Sequence, residues 1–320
     1  MPERRENTGS RIVRLPHGGA LGACVVAAVV LAAGWTKASA NDDDGARRSA
    51  EALTRAVRPA QETPRRIVSL VPSVTETLFA IGAGPQVVAV SSFDREPPEV
   101  ERLPRVGALL DPDVERIISL EPDLVIVYGS QADLRAQLER ARIATWPFTH
   151  AGLADVLRTI EALGRTTGHV TEAARVTAGI ERQLAGVRAR AAGRARPGVL
   201  LVFGREPGTL RNVHASGGTG FLHDLVELAG GRNVFADVAR ESVQASTEVI
   251  LSRRPEIVIE LQPDATGPAA AREALEAWSA LPSVPAVRGG RIHVLTGSDL
   301  VVPGPRVGRA AERLAAAIHQ

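Results

Sequence analysis

From Arg66 onward, short apolar runs alternate with amphipathic stretches. Residues 67–70 (Ile-Val-Ser-Leu) form an apolar run of strand length. Pro72 and Ser73 then turn the chain, and Ser73 and Glu76 stand at capping-box spacing for a helix ending near Gly82. The pattern next predicts a strand at 87–90, a polar and proline-rich loop at 91–104, and a strand at 124–128. A helix around 133–140, a strand at 144–148 and a helix at 153–164 follow. Strands alternating with helices predict a parallel sheet covered on both faces.

The period then changes. Val176, Ile180, Leu184 and Val187 recur at helical spacing between residues 171 and 192, and Gly193 closes the run. A second alternation follows, with strands at 198–203, 257–261 and 292–295 and helices at 221–229, 269–280 and 306–318. The expected fold is α/β, with two parallel-sheet α/β lobes bridged by one long helix. The boundaries read as 65–168 for the first lobe, 169–193 for the bridge and 194–320 for the second lobe. A continuous helical bridge limits the lobes to small rocking motions. Ligands of open α/β sheets sit beyond the carboxyl ends of the strands, so the cleft between lobes is the expected site.

One segment occurs twice. Residues 113–126 align without gaps on 246–259, and six of the fourteen positions are identical. Each copy predicts a short helix closed by a proline and followed by an apolar strand. Glu115 and Glu248 occupy the same place in the two copies, after the capping residues Asp113 and Ser246. Two lobes with matched acidic points fit a partner that is itself two-fold symmetric. Each glutamate also suits the first turn of a helix for its charge alone.

Composition narrows the options. Aromatic residues are only 3% of 320, so Leu, Val, Ile and Ala must build the core. The net charge of +2 belongs to the N-terminus: without residues 1–40, 33 basic and 34 acidic groups remain. No nucleic-acid partner is expected from that balance. Residues 1–40 read as an export signal, with four arginines ahead of an apolar run and Ala38-Ser39-Ala40 as cleavage site. An uncleaved anchor is the alternative. The apolar run at 20–34 is shorter than the roughly 20 residues that span a bilayer. Leu21-Gly22-Ala23-Cys24 spells a lipoprotein box, but its apolar segment follows the cysteine instead of preceding it. Residues 41–64 read as a flexible tether.

Cys24 and Lys37 are the only cysteine and the only lysine, and both fall within the signal. A disulfide, a thiolate metal site, a lysine phosphate loop and a Schiff base are thereby excluded from the exported part.

Four segments together resemble a known family. They are R-I-V-S-L-V-P-S-V-T-E-T-L (66–78), V-E-R-I-I-S-L-E-P-D-L-V-I (114–126), S-x-E-x-x-L (246–251) and G-S-D-x-x-x-x-x-P-R (297–306). The chain is similar to the periplasmic substrate-binding proteins of ABC importers for cobalamin, haem and ferric siderophores, closest in pattern to the cobalamin binders. The resemblance implies a monomeric receptor without catalysis or cofactor, which delivers a large metal chelate to a dimeric ABC permease. It also implies that Glu115 and Glu248 dock on arginines of the two permease subunits. Carboxylates facing arginine forks make bidentate bonds that orient such an encounter.

Cleft candidates follow from strand ends and from the resemblance. Pro72, Ser73, Phe93, Leu109 and Tyr128 are expected on the first lobe. Arg205, Gly218, Gln262, Asp299 and Leu300 are expected on the second. Phe93 and Tyr128 suit a planar ligand, whereas Leu109 and Leu300 stand where cobalamin-binding relatives carry tryptophan. Trp146 reads as core. Arg205 serves either an anionic ligand group or a loop salt bridge. The loop Gly217-Gly218-Thr219-Gly220 serves either an anion or tight packing. Asp299 and Gln262 suit amide groups of a corrinoid.

Three alternatives remain. His150, His214 and His223 could gather zinc or manganese, and a histidine or Tyr128 could ligate haem iron. An exported hydrolase is the third, although no G-x-S-x-G elbow occurs.

Overall fold

The computed structural model describes residues 63–149, 152–265 and 268–320. The export signal, nearly all of the tether and His150 lie outside the described residues.

Four parallel strands, β1 (Ile67–Ser69), β2 (Val87–Val90), β3 (Leu124–Tyr128) and β4 (Ala144–Phe148), form a sheet in the order β2-β1-β3-β4. Helices α1 (Pro72–Ala80), α2 (Val114–Ser119), α3 (Ala132–Arg140) and α4 (Leu153–Thr167) connect and follow them. The 22-residue helix α5 (Val170–Ala191) then leads to the second lobe. Its buried positions are Ala173, Thr177, Ile180, Leu184 and Val187, a repeating interval of three and four that makes one apolar stripe.

The second sheet has six strands: β5 (Gly198–Gly204), β6 (Val213–Ser216), β7 (Arg232–Asn233), β8 (Ser242–Ala245), β9 (Ile257–Gln262) and β10 (Ile292–Thr296). Its order is β10-β9-β5-β6-β8, with β7 pairing β5. Strands β10, β9 and β5 run parallel, but β6 is antiparallel to β5 and β8 is antiparallel to β6. This antiparallel edge was not expected. A short return through residues 205–212 can only join antiparallel neighbours, because a parallel crossover needs a dozen residues or more. Helices α6 (Phe221–Leu228), α7 (Thr247–Arg253), α8 (Pro268–Trp278), α9 (Pro285–Arg288) and α10 (Val307–Ile318) complete the lobe.

The duplicated segment repeats in its local geometry. Asp113 and Ser246 are N-caps whose side chains accept from Arg116 N–H at 3.0 Å and Val249 N–H at 3.4 Å. Glu121 and Arg254, at equivalent positions, both take the left-handed conformation, with φ of 46° and 49°. The carboxylate of Asp123 accepts from Arg65 and Arg66 N–H at the start of β1, and that of Glu256 from Gly198 N–H at the start of β5.

One apolar cluster joins the lobes. It runs from Ile67, Leu78 and Ile126 through Ile180, Leu184 and Val187 of the bridge to Val199, Leu201 and Leu314. The bridge is therefore part of a core that both lobes share.

Candidate functional site

The first lobe's wall stands on the ends of β1, β2 and β3. Phe93 sits on a loop tied down from below. Asp94 Oδ2 accepts from Ser91 N–H at 2.8 Å and Ser91 Oγ at 2.5 Å, and Phe93 N–H donates to Ser91 Oγ. Arg105 Nη1 donates to the carbonyls of Ser91 and Asp94. The backbone under Phe93 is held on several sides while its ring remains 36% exposed. Tyr128 and Leu109 are tied through Gln131, which accepts from Tyr128 N–H at 2.9 Å and donates to the Leu109 carbonyl at 3.0 Å. The Tyr128 ring meets Phe148 edge-on, with centroids 6.2 Å apart. Burial, and then the charge of Asp94, pushes the Tyr128 hydroxyl above its ordinary range. Pro72, Leu109 and Tyr128 are half-buried, so each, like Phe93, keeps part of its surface open.

Ser73 is placed differently. Helix α1 begins at Pro72 with Val71 as N-cap, and no side chain caps it. Ser73 and Glu76 both lie within the helix, so the expected capping box does not form. Ser73 is buried, its carbonyl accepts from Thr77 Oγ1, and its backbone packs near Gly304 of the other lobe. Glu76 is buried as well and receives a two-pronged grip from Arg306. Burial raises its carboxyl above the usual range despite that bond to Arg306.

Most second-lobe candidates are already engaged inside the protein. Arg205 is enclosed: it donates to both oxygens of Glu260 and of Glu273, and its side chain is 4% exposed. Glu260 also accepts from Trp278 Nε1 at 3.3 Å. The guanidinium is committed to this network, the salt-bridge role of the two expected for it. Asp299 is 1% exposed and held by Arg313 at 2.9 and 3.1 Å, with Arg309 at 3.4 Å. Leu300 is buried in the shared core.

The glycine loop is engaged in the same way. The N–H groups of Gly217, Gly218 and Thr219 donate to the carbonyls of Glu241, Val238 and Arg240. A Cβ on Gly218 would lie 2.3 Å from the Ala236 carbonyl oxygen, so the glycine is needed for close packing. Gln262 is half-buried and, with Phe203, Arg205 and Glu273, lines a 230 Å³ pocket.

The structure thus ties Leu109 to Tyr128 through Gln131 and leaves Pro72, Phe93 and Gln262 partly open to solvent. Trp146 packs against the core as expected. Sequence reasoning missed Glu76, Asp94 and Gln131 as supports of the first wall. Arg306 lay within a quoted motif, but nothing local marked its partner. A further groove of about 710 Å³ lies between α4, α5 and α6 and contains none of the expected residues.

Among the described residues, no three His, Cys, Asp or Glu side chains converge to hold a metal ion. His214 lies beside the Phe203 ring, and His223 beside Asn233.

Glu115 and Glu248 are both exposed, and neither has an ion-pair partner among the described residues. The Ser246 hydroxyl bond, above all, holds the Glu248 carboxyl below its usual range.

Comparison with known proteins gives a consistent result. Residues 67–298 match the family model described as periplasmic binding protein. An uncharacterized ABC transporter substrate-binding lipoprotein of Bacillus subtilis (strain 168) is 27% identical over 309 residues, covering 93% of this chain and 96% of its own. The vitamin B12-binding protein of Salmonella typhimurium is 33% identical over 199 residues, covering 61% of this chain and 71% of its own. Among solved structures, the periplasmic heme-binding protein RhuT of Roseiflexus sp. RS-1 aligns with a TM-score of 0.67 at 26% identity, covering 80% of this chain and 98% of that one. The periplasmic vitamin B12 binding protein BtuF of Vibrio cholerae shares the fold, with a TM-score of 0.69 at 24% identity over 80% of this chain and 97% of that one.

Proposed function

Since the chain belongs to the periplasmic binding protein family, we propose that it is an exported receptor that captures a cobalamin-like metal chelate between its lobes and delivers it to an ABC permease dimer. Members of this family are substrate-binding proteins of ABC transporters, and the chain is a receptor rather than an enzyme. The observation that carries the delivery step is the matched pair Glu115 and Glu248. Each is exposed, each lies in the first turn of a short helix capped by a side chain, and each lobe carries one. Paired carboxylates of this kind suit arginines on two related permease subunits.

The corrinoid reading rests on the vitamin B12-binding relatives and on the wall of Pro72, Phe93, Leu109 and Tyr128, which offers apolar and aromatic surface to a broad planar ligand. Gln262 supplies an amide for the ligand's polar side groups. A haem chelate is the second reading, supported by the heme-binding structure at 26% identity. Against it, burial keeps the Tyr128 hydroxyl protonated and so disfavours a phenolate bond to iron. Location outside the cytoplasmic membrane, free or tethered, follows from the N-terminal signal and from the lipoprotein relative.

Purified protein mixed with cyanocobalamin, haemin or a ferric siderophore and then gel-filtered tests the ligand class. Cobalamin colour should travel with the protein. Retention of haemin alone would favour the second reading, and retention of none would overturn the chelate reading. Glu115→Arg with Glu248→Arg should abolish delivery while leaving solution affinity nearly unchanged. An equal loss of affinity would place these residues in the fold or pocket instead.

A further inference from the structure

We infer that Ile118 and Leu251 form a second, apolar element of the permease-docking surface, one on each lobe beside its glutamate. The inference rests on the docking role proposed above for Glu115 and Glu248.

Three observations lead there. The two residues occupy the same position of the duplicated segment, three places after the glutamate, so each lies one turn along the same helix face. Ile118 and Leu251 are each 39% exposed, although the core of this protein is built from these residue types. The helices are also set at the same rotation. Ile117 and Ile250 are fully buried beneath them, and Ser119 and Ser252 each donate from Oγ to the carbonyl three residues back at 2.8 Å. The outward faces are thereby fixed alike.

A single exposed aliphatic residue is ordinary on a protein surface. Two at equal exposure, in equivalent register and each beside a carboxylate without an ion-pair partner, make a repeated acid-plus-apolar patch. Such a patch complements a partner that presents a cation with an adjoining apolar surface twice, once per subunit. A permease dimer offers that two-fold arrangement. The carboxylate gives orientation and long-range attraction, and the aliphatic side chain gives short-range burial that slows release. The copies differ beside the patch: Val249, 38% exposed, stands where the first lobe has Arg116. The second lobe therefore offers the broader apolar contact.

The test compares two double variants for binding to the permease this receptor serves, reconstituted in lipid nanodiscs. About two-fifths of each side chain remains available to bury, which corresponds to roughly threefold in affinity per residue and about tenfold for the pair. Ile118→Gln with Leu251→Gln should weaken docking by about tenfold while preserving its salt dependence, the melting transition and cyanocobalamin affinity. Ile118→Met with Leu251→Met should restore docking. Glu115→Arg with Glu248→Arg should instead abolish docking together with its salt dependence.

Docking unchanged in the glutamine variant but abolished in the arginine variant would overturn the apolar element and leave the glutamate reading standing. Docking unchanged in the arginine variant would remove the glutamate reading, and this inference with it. Concentration-dependent self-association of the parent that disappears in the glutamine variant would assign the patch to a second copy of the chain and overturn the inference.

Discussion

Arg306 holds Glu76 with two hydrogen bonds, Nε to Oε2 at 2.8 Å and Nη2 to Oε1 at 2.6 Å, across 230 positions of sequence. The arginine opens the last helix of the second lobe, and the glutamate lies in the first helix of the first. Ser298 Oγ accepts a third bond from the same guanidinium at 2.8 Å. Removing one partner of a buried pair leaves the other charged and unsatisfied, whereas removing both avoids that penalty. Glu76→Met alone should cost about 3 kcal/mol at neutral pH. The double variant Glu76→Met, Arg306→Met should cost less than either single change. Urea unfolding of all four proteins gives the coupling directly.

Arg205 provides the complementary test of structure against function. Arg205→Met strands Glu260 in the interior, and about 3–5 kcal/mol of stability should be lost. Ligand affinity, measured well below the melting transition, should stay within about twofold because Glu260 and Glu273 enclose the guanidinium. A large selective loss of affinity would return Arg205 to the binding wall.

Gly218→Ala should destabilise by about 1–3 kcal/mol through overpacking, because the new methyl group would press on the Ala236 carbonyl. Anion affinity should not change, since the loop's N–H groups are spent on residues 238–241. Thermal melting in the presence and absence of phosphate checks both statements.

Asp94 makes stability depend on pH in an unusual direction. It is fully buried, and Oδ1 has no hydrogen-bond partner among the described residues. Burial raises its carboxyl above 3.8 despite the bonds from Ser91. The folded protein therefore holds this proton more tightly than the unfolded chain does. Its contribution is fully present below the unfolded value and is lost as pH rises through the folded value. Asp94→Asn removes that loss. The melting temperature of the variant relative to the parent should thus rise between pH 4 and pH 7, as calorimetry at several pH values would show.

Local patterns in the sequence carried much of this fold. The duplicated segment foretold both capped helices, and the left-handed Glu121 and Arg254 show how closely the copies agree. The stripe of Ile180, Leu184 and Val187 foretold the bridge. Long-range polar pairing was not legible. Ser73 and Glu76 satisfied a capping pattern that looks only three residues ahead, while the true partner of Glu76 stands 230 residues away. Arg205 and Asp299 looked available because Glu273 and Arg313 become their neighbours only after folding. Ring size and strand-end position, which single out Phe93 and Tyr128, are local properties. The antiparallel edge escaped notice because Val213–Ser216 is only four residues long and runs straight into the glycine loop 217–220.

The apolar cluster that passes through Ile180, Leu184 and Val187 has a thermodynamic consequence. Each half has a cluster of its own, but both also build on this shared one, so the unfolding of one is coupled to that of the other. Heat or denaturant should dissolve the chain in one cooperative step. Cutting it at the bridge would yield fragments that bare oily flanks to water instead of two independent modules.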